Sequence, residues 1–130
     1  NFETKPSMNF EIDKKENYAV VRVKAEKLDS QISPSLKSEL VVLNADEFKN
    51  IIIDLGETRY CDSSGLSAIL VANRLCKNAG GSFVLCGLQR SVSKLISISQ
   101  LDTILNITPT LEEATDLIAM ESIEKDMNKE

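Results

Sequence analysis

Asn50-Ile51-Ile52-Ile53-Asp54-Leu55 is the stretch on which the fold turns, read together with Cys61-Asp62-Ser63-Ser64-Gly65 a short link downstream. A short, continuous run of β-branched residues predicts a strand covered on both faces, as in the middle of a sheet. The second segment leads into Leu66 to Ala79, which reads as a helix. There Leu66, Ile69 and Leu70 form one apolar face, and Ala68, Ala72, Leu75 and Ala79 form another. A helix apolar this far round is either deeply buried or offers a second face to a partner. A buried strand feeding such a helix is the repeating unit of an α/β domain.

Upstream, Phe10 and Ile12 alternate with polar neighbours, and Tyr18 to Ala25 places Ala19, Val21, Val23 and Ala25 opposite Arg22 and Lys24. This period of two predicts a hairpin with one solvated face. Ser33-Pro34 predicts a hydroxyl-capped helix start. Leu36, Leu40, Leu43 and Phe48 then carry the helix to about Glu47. Downstream, Gly80-Gly81 stops the helix, and Ser82 to Gly87 reads as the next buried strand. Val92, Leu95 and Ile96 predict a short helix, and Ile104, Leu105 and Ile107 a last short strand. Thr110-Leu111-Glu112-Glu113 is a capping box opening a helix with Leu111, Ala114, Leu117 and Ile118 inward. From Glu121 onward the charged sequence predicts a fraying helical tail. The expectation is an α/β domain over residues 8–120, with a mixed sheet of about five strands and four principal helices. Met8 is a candidate start, with Asn1–Ser7 an expression remnant or disordered N-terminus, and 121–130 a charged C-terminal tail.

Composition narrows the function. The chain has 130 residues, 42% hydrophobic and 27% charged, which suits one globular domain. Its net charge of -5 argues against a nucleic-acid binder, which needs a basic face. No apolar run approaches the ~20 residues of a membrane crossing. There is no histidine, so Ser-His-Asp and Cys-His catalysis and the commonest metal sites are absent. Cys61, Cys76 and Cys86 form no CxxC pair and sit among apolar or small residues. Buried, reduced thiols in a cytoplasmic protein are expected. No phosphate-cradling glycine loop and no nucleophile elbow occurs. A non-enzymatic protein needing no cofactor or metal is the expectation.

The segment from Asp62 to Leu66 has two local readings. Asp62 can cap the helix, with Ser63 and Ser64 in its first turn and Gly65 keeping that turn slim for another protein's backbone. Unpaired N–H groups and the helix dipole make this turn tolerant of an anion. A phosphoryl group on either serine would add about -1.5 to -2 charge there. The same residues equally describe an ordinary helix cap. Asp29 and Asp62 are likewise either turn and cap residues or groups that position a kinase.

Arrangement and motif together resemble the STAS domain family, and within it the bacterial anti-sigma factor antagonists, over about Met8 to Ala119. The likeness rests on a strand leading through Tyr60-Cys61-Asp62-Ser63-Ser64-Gly65-Leu66 into a small apolar helix, and on Leu28-Asp29 closing the second strand. Glu26 departs from the pattern, because the family usually has glycine there. The resemblance implies phosphorylation at Ser63, with partner contacts through Asp29, Asp62, Ser63, Ser64, Gly65 and Leu66. It further implies that the unmodified form binds an anti-sigma factor, often a serine kinase, and frees a sigma factor. Phosphorylation would abolish binding and a PP2C-type phosphatase restore it. Alternative readings are an interaction subunit of a stressosome or lipid-transport complex, or a weak nucleotide-binding domain. The intact Ser63 beside Asp62 favours phosphoregulation over lipid transport.

Overall fold

The computed structural model describes residues 9–128. The expectations for Asn1–Met8 and for residues 129 and 130 lie outside them. Strands β1 (Phe10–Lys14) and β2 (Ala19–Val23) form the expected antiparallel hairpin. β2 then pairs in parallel with β4 (Ile51–Asp54), β4 with β6 (Phe83–Cys86), and β6 with β7 (Asn106–Thr108). The result is a five-stranded mixed sheet in the order β1-β2-β4-β6-β7. Helices α1 (Ser33–Ala45), α2 (Ser63–Asn78), α3 (Arg90–Ile98) and α4 (Leu111–Asn128) connect and cover it. Two further strands, β3 (Lys27–Leu28) and β5 (Tyr60–Cys61), make a small parallel sheet of their own.

Alternation along the strands sends successive side chains to opposite faces. Val21, Ile53 and Leu85 line up across the sheet under the buried faces of α1, α2 and α3. Val20, Ile52 and Val84 point the other way, under Ala114 and Ile118 of α4. All three Ile residues of β4 are therefore fully buried. Trimming Ile52 to Ala is expected to cost about 2–5 kcal/mol through lost contacts and a residual cavity. The face of β2 expected to be solvated is instead covered at Val20, which is buried beneath α4. Only past Val20 does that face turn polar, where Arg22 lies 3.8 Å from Asp54.

Three boundaries differ from the sequence reading. Ser33 is not the cap of α1. Ile32 occupies that position without a side-chain bond, and the carbonyl of Asp29 takes the N–H groups of Ile32 and Ser33. α1 ends at Ala45, with Glu47 in the left-handed region (φ 71°) and the Phe48 N–H donating to the Leu43 carbonyl. Ile104 does not join the last strand. It is exposed at the end of a 3-10 turn over Leu101–Thr103, and β7 begins at Asn106.

The glycine stop of α2 and the capping box of α4 form as predicted. At the end of α2, Gly80 takes a positive φ of 80°, its N–H donates to the Lys77 carbonyl, and that of Gly81 reaches the Cys76 carbonyl. Thr110 Oγ1 accepts the Glu113 N–H at 3.1 Å, as a capping box requires. The charged segment from Glu121 continues as helix to Asn128. Lys125 secures it by donating to the Gly80 carbonyl at 3.1 Å and to Ser82 Oγ at 3.3 Å.

Candidate functional site

The small β3/β5 sheet builds the site. Its register sets Leu28 beside Cys61, so Asp29 and Asp62 leave the two strands side by side. Asp29 enters the turn that starts α1, and its carboxylate accepts the Gln31 N–H at 3.1 Å. Asp62 is the N-cap of α2, in extended conformation. Its Oδ1 accepts the N–H of Ser64 at 2.9 Å and that of Gly65 at 3.1 Å, and takes the Ser64 hydroxyl at 2.6 Å. These donors, the Ser64 hydroxyl foremost and the Gly65 and Ser30 N–H groups with it, hold the carboxyl below its ordinary pKa.

Ser64 reaches further. Its Oγ lies 3.1 Å from the Oγ of Ser33, which is 1% exposed at the first turn of α1. The Ser64 hydroxyl has one proton, and the carboxylate takes it, so Ser33 is the donor in the second pair. A chain of Ser33, Ser64 and Asp62 thus ties the starts of α1 and α2 together. Breaking one link costs about 1–2 kcal/mol, because a buried hydroxyl then lacks its partner.

Ser63 is the opposite case. It is exposed in the first turn, and among the described residues its hydroxyl forms no hydrogen bond. No acidic residue lies in the first turn of α2, so the partial positive charge there faces solvent beside Ser63. A hydroxyl so placed can accept a phosphoryl group without breaking any internal contact.

The remaining sequence-predicted residues divide between surface and interior. Leu66 is half-buried against the core of the α1–α3 side. Gly65 is buried, and a Cβ there would fall 2.6 Å from Cys61 Sγ and 2.6 Å from the Leu28 carbonyl oxygen. Its missing side chain is what allows this close internal contact. Cys61 is buried and unpaired, and burial pushes its thiol up to about 11, with the Asp62 charge contributing. It stays protonated at neutral pH and is a packing residue.

Sequence reasoning misses two members of the site. Nothing in the sequence pairs Ser33 with a serine thirty-one positions away. Tyr60 reads in the sequence only as part of the lead-in strand, yet it is 52% exposed at the start of the loop. Glu26, in the place of the family's glycine, has no positive φ. Its carbonyl accepts the N–H groups of Arg59 and Tyr60, so this backbone needs no glycine.

Comparison with known proteins agrees with this architecture. A family model described as the STAS domain matches residues 9–114. The anti-sigma-B factor antagonist of Bacillus subtilis is 31% identical over 106 residues, spanning 81% of this chain and 96% of the relative. An anti-sigma factor antagonist from Mycobacterium paratuberculosis has a similar solved structure, with TM-score 0.76 and 21% identity, covering 85% of this chain and 92% of the other. The Bacillus cell fate determinant SpoIIAA in its phosphorylated form is similar at TM-score 0.66 and 21% identity, covering 84% and 98%. At these identities the two structures speak for the fold alone; the family match and the Bacillus subtilis relative carry the assignment. This chain belongs to the STAS domain family.

Proposed function

We propose that this protein is an anti-sigma factor antagonist that works as a phosphorylation switch. Its unmodified form binds an anti-sigma factor that is also a serine kinase, and a sigma factor is released. The kinase then transfers the γ-phosphoryl group of ATP to Ser63 Oγ, with loss of the hydroxyl proton and release of ADP. A PP2C-type phosphatase hydrolyses the ester and restores binding. The chain acts by binding rather than by catalysis, in the cytoplasm, without a cofactor.

The observation that carries this reading is the contrast between adjacent serines. Ser63 is exposed with a disengaged hydroxyl, whereas the Ser64 hydroxyl is committed to Asp62 and Ser33. The 31% identical relative is named an anti-sigma-B factor antagonist, which supports the partner class. Phosphate on Ser63 adds up to two negative charges to a surface that a partner would have to desolvate, and an unpaired buried charge costs several kcal/mol. Asp29, Asp62, Ser63, Ser64, Gly65 and Leu66 form or support that surface, and Tyr60 adds an exposed aromatic of the kind that anchors interfaces.

The test is to incubate the protein with ATP and a purified serine-kinase anti-sigma factor, then locate the phosphate by peptide mass spectrometry. The expected result is modification at Ser63 and none in Ser63→Ala. Phosphate found on Ser64 instead would overturn the assignment.

A further inference from the structure

The outward side of α4 carries a feature that the Ser63 site does not use. Met120, Ile123 and Met127 are 66%, 61% and 70% exposed. They recur at helical spacing and form one apolar stripe along the last turns of α4. Large apolar side chains in a contiguous exposed row mark interaction surfaces on soluble domains.

The charges around the stripe identify what fits it. Asp116, Glu124 and Asp126 are exposed along α4, Glu124 on one flank of the helix and Asp126 on the other. The helix has a single basic residue, Lys125, which is turned inward to the Gly80 carbonyl and Ser82 Oγ. Among the described residues of α4 the exposed charges beside the stripe are therefore mainly acidic, with Lys77 and Lys49 lining the grooves at the sides of the helix. A second copy would set acid against acid, and an anionic lipid surface would be repelled in the same way. A helix with an apolar face flanked by lysine or arginine meets both the stripe and its frame.

We propose that the Met120–Ile123–Met127 stripe is a docking site for a basic amphipathic helix of a partner protein. It lies on the sheet face opposite α1, α2 and α3, so it is a second binding surface, independent of phosphorylation at Ser63.

The test uses the full chain and a fluorescein-labelled amphipathic Leu/Lys peptide of about 18 residues, long enough to hold a helix. A Leu/Glu peptide of the same pattern is the control. Fluorescence anisotropy should show the Leu/Lys peptide binding and the Leu/Glu peptide not binding. Replacing Met120, Ile123 and Met127 together by Ser keeps the charge unchanged and should weaken binding at least tenfold. Glu124→Gln with Asp126→Asn should weaken it severalfold and flatten its salt dependence. Ser63→Asp should leave it unchanged. Should the triple variant lose helicity by circular dichroism, the single Ile123→Gln variant carries the same comparison with a severalfold loss. Equal binding by wild type and the stripe variants would mean that net charge alone attracts the peptide, and would overturn the proposal. So would self-association in sedimentation that the stripe variants abolish, co-sedimentation with phosphatidylglycerol vesicles, or an effect of Ser63→Asp.

Discussion

Helices α2 and α4 open with the same device and differ in the turn that it caps. In each, a side-chain oxygen of the residue before the helix accepts the N–H three positions on: Asp62 from Gly65 and Thr110 from Glu113, both at 3.1 Å. α4 then places Glu112 and Glu113 in its first turn, whereas α2 has no acid there. The dipole of α4 is answered by residues built into its sequence. That of α2 is answered only by Asp62, leaving Ser63 in a field where added negative charge is tolerated. The two starts share a cap and differ in the charge of the turn that it serves.

The largest effect tests this difference directly. Ser63→Ala should bind the purified anti-sigma partner like the unmodified protein, while Ser63→Asp should bind on the order of a hundredfold more weakly. Calorimetry with both variants measures the gap, and equal affinities would reduce α2 to a cap of the α4 kind. Next in size is Gly65→Ala, which forces a methyl against Cys61 Sγ and the Leu28 carbonyl. It should destabilise the fold by about 1–3 kcal/mol in denaturant unfolding. An unchanged midpoint would show that the loop is looser than its contacts imply.

Asp62→Ala removes the cap and should lower the unfolding midpoint, by less than Gly65→Ala does. Because the folded carboxyl titrates below its unfolded value, its contribution is fully present above about pH 4 and is lost as pH falls through the lowered folded pKa. The stability difference from wild type should therefore stay flat between pH 5 and pH 8 and narrow only in acid. A difference that shrinks already near pH 6 would contradict the lowered pKa. Smallest is Thr110→Ala, at about 1 kcal/mol by thermal unfolding. It should leave partner affinity unchanged, and any loss of binding would mean that α4's start is not merely structural.

The local parts of this comparison are legible in the sequence. A cap and the residues it serves lie within four positions, so Asp62, Ser63 and the Thr110–Glu113 box can be read in line. Strand β4 is equally plain, because three successive isoleucines leave no polar face. What the sequence conceals depends on distant packing. Val20 stands in a strand whose alternation suggests one buried side, and only α4 folding back over the sheet makes the other side an interior. Ser33 looks like a cap because serine before proline usually is one. Its hydroxyl is claimed by Ser64, a contact that exists only once α1 and α2 lie together. Ile104, apolar and next to a strand, gives no local sign that it sits outside.

The Ser33–Ser64 contact also bears on how a kinase could recognise this protein. A synthetic peptide spanning residues 58–72 would contain Ser63 and Asp62 but lack Ser33, Leu28 and the strand that aligns them. So short a peptide has little helix of its own in water. The shape around Ser63 is thus a property of the assembled chain, and an enzyme that depends on it inspects the substrate's folding before modifying it. On the proposed switch, misfolded copies would escape phosphorylation, and searches with peptide libraries would pass over Ser63.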